Sequence, residues 1–130
     1  MQRFLFLGIA PAIGLFASPV FAANITASGV ISSKPDGSDF DYTIKLTNSS
    51  SSNAGIGTFW YAWIPVPNED FLATPPISVT PPTGWSDSVT NSGATDGYGI
   101  LFTANSSASY MQPGSSLDFM FKSAECPFTV

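Results

Sequence analysis

Between residues 40 and 47 the chain reads Phe-Asp-Tyr-Thr-Ile-Lys-Leu-Thr, with an apolar side chain at every second position. A β-strand turns successive side chains to opposite faces, so Phe40, Tyr42, Ile44 and Leu46 share one face and Asp41, Thr43, Lys45 and Thr47 the other. One side therefore meets a core and the other meets water, as in an antiparallel sheet covered on one face only. The pattern recurs near the end of the chain, where Leu117, Phe119 and Phe121 alternate with Asp118, Met120 and Lys122.

Other segments read as strands by their β-branched and aromatic content and by the Gly, Pro, Asn and Ser clusters between them. They cover residues 25–31, 56–66, 77–80, 85–90 and 98–104. Lys34-Pro35-Asp36-Gly37-Ser38 suits the turn of a first hairpin, and residues 48–55 form a polar loop. Pro65 and Pro67 end the aromatic strand, because proline cannot donate to a ladder. No segment has the length and period of an ordinary helix. Seven short strands in about a hundred residues predict an all-β, immunoglobulin-like β-sandwich, with a flattened barrel as the structural alternative.

The first 22 residues have a different character. Met1-Gln2-Arg3 carries one positive charge, residues 4–16 are apolar apart from Gly8, Pro11 and Gly14, and Val20 and Ala22 suit a cleavage site after Ala22. This is the pattern of a secretory signal peptide, followed by one domain over residues 23–130. A membrane anchor needs roughly 20 apolar residues, and this run is shorter and broken by Pro11. The expected location is secreted, extracellular or periplasmic, with no membrane association once the leader is removed.

Residues 23–130 carry three lysines against nine acidic side chains, a formal net charge of −6. Nucleic-acid binding requires clustered Lys and Arg to displace counterions, so that class of partner is set aside. Cys126 is the only cysteine in the sequence. It has no internal disulfide partner, and the domain must hold together by packing.

The segments Tyr42-Thr43-Ile44-Lys45-Leu46-Thr47-Asn48-Ser49, Gly57-Thr58-Phe59-Trp60-Tyr61-Ala62-Trp63-Ile64-Pro65, Pro82-Thr83-Gly84-Trp85 and the stretch from Pro113 to Ala124 carry a resemblance. Together they resemble secreted bacterial proteins with immunoglobulin-like sandwiches, including the exported domains of proteins that bear a C-terminal PEP-CTERM sorting signal. The resemblance implies an exported fold with no assigned reaction. The sorting tail itself has no counterpart at Pro127-Phe128-Thr129-Val130.

The chain contains no histidine, which removes Ser-His-Asp and Cys-His catalysis and histidine metal sites. Carboxylate chemistry remains, but adjacent Glu69 and Asp70 point to opposite sides of an extended chain and do not converge. The acid cluster Asp36, Asp39 and Asp41 offers oxygen ligands along a turn and is the candidate metal site, for calcium; its plain reading is a turn beside a solvent-facing strand. No cofactor is expected.

The aromatic strand is apolar on both faces, with Phe59, Tyr61 and Trp63 on one and Trp60, Ala62 and Ile64 on the other. One face is core. The other is either covered by the proline-containing segment 65–82 or left open as a platform for sugar rings. Trp60, Trp63 and Trp85 are the candidate ligand-binding residues, and the Asn-Xaa-Ser/Thr sites at Asn24, Asn48 and Asn105 mark polar surface. The expected function is a secreted, non-catalytic module with a surface, matrix or adhesive role toward an unidentified surface or matrix component; polysaccharide binding is the sharper alternative.

Overall fold

The alternation of residues 40–47 becomes a ten-residue strand, β2 (Asp39–Asn48), whose apolar side chains Tyr42, Ile44 and Leu46 are all buried. A computed structural model describes residues 23–61, 72, 74–90 and 97–127. The leader 1–22, the second half of the aromatic strand with Trp63, and the Glu69-Asp70 pair lie outside the described residues. The remaining strands are β1 (Ala27–Asp36), β3 (Thr58–Tyr61), β4 (Ser78–Thr80), β5 (Trp85–Thr90), β6 (Gly99–Ala104) and β7 (Ser116–Ser123), with one short 3₁₀ turn over Ser107–Ser109.

These seven strands form two antiparallel sheets, in the orders β1-β2-β7-β4 and β3-β6-β5. The all-β sandwich read from the sequence is therefore the architecture found. Its strand order differs from that of an immunoglobulin constant domain, where the fifth strand lies between the second and fourth and the seventh lies beside the sixth. Here those two strands change places: β7 lies between β2 and β4, and β5 lies beside β6. Side-chain alternation sets which face is buried but carries no information about which strand is the neighbour.

The core is the contact between the two inner faces. Phe119 of β7 is fully buried and packs against rings from the opposite sheet, with centroids 4.8 Å from Phe102, 5.1 Å from Phe59 and 5.1 Å from Trp85. The Trp85 contact is edge-on, at 83° between ring planes, which sets the positive ring edge against the negative ring face. Tyr42 stacks on Phe121 at 4.8 Å, and its hydroxyl donates to the Glu125 carbonyl at 2.7 Å, fastening the segment after β7 to the sheet.

One end of the sandwich is closed by a polar side chain. Asn48 ends β2 on the inward face and is fully buried; its Nδ2 donates to the carbonyls of Ala54, at 3.0 Å, and Met111, at 2.9 Å. Its backbone N–H donates to Ser115 and its carbonyl accepts from Gly114, so one residue joins β2 to three loops. Asn48 is thus interior, contrary to its reading as polar surface. The loop that follows also packs: Ser52 is buried and exchanges hydrogen bonds with the backbone of Thr26.

β1 is longer than expected, because the strand continues through Lys34, Pro35 and Asp36 and leaves only Gly37 and Ser38 as the turn. Gly37 takes φ 66°, a conformation that L side chains adopt at a cost. Every residue of β1 is exposed. Among the described strands it lies at the edge of its sheet, and Ile31 on its inward side is 47 % accessible.

Candidate functional site

The outward face of the β3-β6-β5 sheet is built in rows set by register. Thr58, Thr103 and Ser86 lie across the three strands in one row, and Trp60, Leu101 and Ser88 in the next. Because Phe59 and Tyr61 turn inward to Phe102, Phe119 and Phe121, Trp60 between them is forced outward. It is 57 % exposed.

The indole does not stand away from the sheet. Its Nε1 donates to Thr90 Oγ1 at 3.1 Å, on the strand two places away, so the ring reaches across β6 to β5, a span of roughly 9–10 Å between strand axes. It crosses at Gly99. A Cβ there would lie 2.9 Å from the indole nitrogen and 3.0 Å from Thr90 Oγ1, so only glycine leaves room for the ring to lie down. Gly99 is buried although it belongs to an outward-facing register position, which is the mark of the ring covering it.

The outcome is an exposed indole whose nitrogen edge is fixed over Gly99 on the outward face of the sheet. The hydroxyls of Thr58, Ser86, Ser88 and Thr103 lie beside it, all exposed. Thr90 orients the ring through a single bond and Gly99 sets its height.

The other two candidate tryptophans are placed differently. Trp85 is only 5 % exposed; its ring packs on Phe119 and its Nε1 donates to the Ser109 carbonyl at 2.9 Å. It is a core residue, and its place in a ligand platform is corrected, because its register position on β5 faces the opposing sheet. Trp63 lies outside the described residues.

The acid cluster does not gather into a cation cage. The Asp36 carboxylate accepts a hydrogen bond from Lys122, whose Nζ also lies 3.5 Å from Asp41 Oδ1, while Asp39 accepts from its neighbour Ser38 at 3.3 Å. Among the described residues no group of three or more acidic or thiol side chains is close enough to hold a metal. The candidate metal site at Asp36, Asp39 and Asp41 is therefore corrected: strand register places Lys34, Asp41, Lys122 and Ser78 in one row across the outer face, and the cation between the acids is an ammonium of the protein.

The Lys122 hydrogen bond holds the Asp36 carboxyl below its ordinary value of 3.8 and raises the Lys122 ammonium above 10.5. A carboxyl lowered in the folded state adds stability above its unfolded value and loses it as the pH falls through the folded value; a raised ammonium loses its share only as the pH rises through its own folded value. The pair therefore acts throughout the interval between, weakly, because Asp36 is exposed, Lys122 is only partly covered, and salt screens them. Carboxyl chemical shifts followed by NMR should give Asp36 a midpoint below 3.8 that returns to the ordinary value in Lys122→Met.

A concavity of about 390 Å3 lies on the inner side of β1 and is lined by Ile31, Tyr42, Tyr61, Leu72, Phe121 and Cys126, among others. Burial pushes both phenols above their ordinary value, so they stay protonated and apolar in character near neutral pH. Cys126 is a free, exposed thiol. None of the described helical residues forms a helix long and apolar enough to cross a membrane. Comparison with protein-family models, with curated proteins and with solved structures found no match.

Proposed function

We propose that this chain is a secreted, non-catalytic β-sandwich module with a surface, matrix or adhesive role. The reading rests on the export-type leader, the absence of histidine from the sequence, and the placement of the described carboxylates: Asp36 and Asp41 are both held by Lys122, Asp39 by Ser38 and Glu125 by Thr74, and Asp87 and Asp118 lie on separate sheets. A sandwich of this kind presents faces and loops to a partner, and function belongs to the site rather than to the fold.

The Trp60 plate favours a sharper form of this reading, in which the partner is a polysaccharide. A pyranose ring carries C–H groups on its faces and hydroxyls at its rim. An exposed indole fixed at its nitrogen on a sheet, beside a row of Thr and Ser hydroxyls, offers the matching apolar plane and polar border. Affinity electrophoresis of the chain through gels containing soluble polysaccharides tests this. At least one neutral polysaccharide should retard the wild-type chain. Trp60→Ala should abolish the retardation with little loss of stability, and Gly99→Ala should weaken it by tilting the ring. Unretarded migration in every gel, or retardation unchanged in Trp60→Ala, would end the carbohydrate reading.

A further inference from the structure

We infer that β1 is a self-association edge, and that two copies of this chain join their four-stranded sheets by antiparallel pairing of β1 with β1. The inference concerns the sheet that does not carry Trp60. Among the described residues no strand pairs with the second edge of β1.

The direction of the backbone groups follows from the ladder. The Ser49 N–H bonds to the Thr26 carbonyl, and hydrogen-bonded and non-bonded pairs alternate along an antiparallel strand. Ser28, Val30, Ser32 and Lys34 therefore turn their backbone groups to β2, and Ala27, Gly29, Ile31 and Ser33 turn theirs to the open edge. Pro35 falls in the second set, which is why a proline is tolerated inside this strand: its missing N–H is on the side with no partner.

Natural edges are guarded by charges, prolines, bulges or brevity. β1 is ten residues long and pairs with β2 without a bulge, and its only guards, Lys34, Pro35 and Asp36, lie at the hairpin end. Residues 27–33 carry none. The same stretch also exposes large apolar side chains, with Val30 68 % and Ile31 47 % accessible.

The strand matches its own antiparallel copy over the unguarded stretch 27–33, which makes a second copy the occupant, and its charges do not oppose that pairing. Pairing centred on Ile31 sets Ile31 against its own symmetry mate, Gly29 against Ser33 and Ala27 against Pro35, and overlaps the whole unguarded stretch. Lys34 then faces Ser28 and Asp36 faces Thr26, so no like charges oppose each other. Parallel pairing would stack Lys34 on Lys34. The two acidic hairpin ends come to lie roughly 30 Å apart, well beyond the screening length at physiological salt. The pairing supplies about eight backbone hydrogen bonds and brings together the two Ile31 side chains beside the groove they help to line.

The test uses the chain produced with residues 1–22 in place, so that any processing takes place. Sedimentation equilibrium should show a monomer–dimer equilibrium between about 1 and 100 µM. Amide hydrogen exchange should show Gly29, Ile31 and Ser33 protected at high concentration and fast at low concentration, with Val30 and Ser32 protected at both. Ile31→Lys charges the edge, and Ser33→Pro deletes one outward N–H without touching the β1–β2 ladder. Each should weaken association at least tenfold while leaving the near-ultraviolet circular dichroism of the aromatic core unchanged. A monomer at every concentration overturns the inference, as does a dimer that both variants retain or one in which those three amides still exchange freely.

Discussion

Replacing Phe119 by alanine is expected to remove about 3–5 kcal/mol of folding stability, the cost of deleting a fully buried aromatic ring and leaving a cavity that its neighbours only partly fill. The position is sensitive because Phe119 is the one ring of β7 that touches Phe59, Phe102 and Trp85 together, and so links the four-stranded sheet to all three strands of the other. Small domains have about 5–15 kcal/mol in all, so the variant should sit near its unfolding midpoint on mild warming. Equilibrium urea unfolding, followed by tryptophan fluorescence and far-ultraviolet circular dichroism, measures this. Phe119→Leu, which restores most of the volume, should recover roughly half of the loss. A Phe119→Ala variant within about 1 kcal/mol of wild type would mean that the sheets are not packed through this ring.

The second large effect is expected at Asn48. An aspartate there replaces the amide donor that serves the Ala54 and Met111 carbonyls with an oxygen that repels both, and puts a charge at a fully buried position. An uncompensated buried charge costs about 3–5 kcal/mol. Asn48→Ala should cost less, about 1–3 kcal/mol, because the Met111 carbonyl keeps its bond from the Ile56 N–H. The two variants also differ in pH dependence. Burial raises the new carboxyl above its unfolded value, so the penalty is present at neutral pH and shrinks as acid protonates it, while the alanine variant shows no such recovery. Thermal unfolding of both variants at pH 7 and pH 5 reads this directly. Equal stabilities for the aspartate and asparagine chains would contradict the inward position of residue 48.

The same residues explain what was legible beforehand. β2 and β7 are covered on one face and wet on the other, and that asymmetry writes period-two alternation into their sequences. β1 is exposed on both faces; Ala-Ser-Gly-Val-Ile-Ser-Ser-Lys-Pro-Asp has no alternation to read, and its extent emerges only from pairing with β2. Asn48 was legible in principle: continuing the alternation from Leu46 by two positions places it inside. The run of serines after it outweighed that signal, although a buried amide there supplies donors that an apolar residue would lack.

The candidate site was half legible. Alternation around Phe59 and Tyr61 offered Trp60 to the face opposite theirs, but whether that face was open depended on what covered it. Trp60 stands among aromatic neighbours and is exposed, whereas Trp85 is followed by Ser-Asp-Ser and is buried, because the register with β6 places one outside and the other against Phe119. The acids at Asp36 and Asp41 resembled a ligand set because they are close in sequence. Their shared partner, Lys122, comes from a strand more than eighty residues away.

The most direct test of the central claim is the amide and indole N–H spectrum of the isotope-labelled chain during titration with a polysaccharide that it binds. The Trp60 indole N–H and the amides of Leu101, Ser88 and Thr103 should shift together, with the Trp85 indole and the outer face of the β1-β2-β7-β4 sheet unmoved. Saccharide binding that leaves the Trp60 indole in place, or shifts confined to the other sheet, would contradict it.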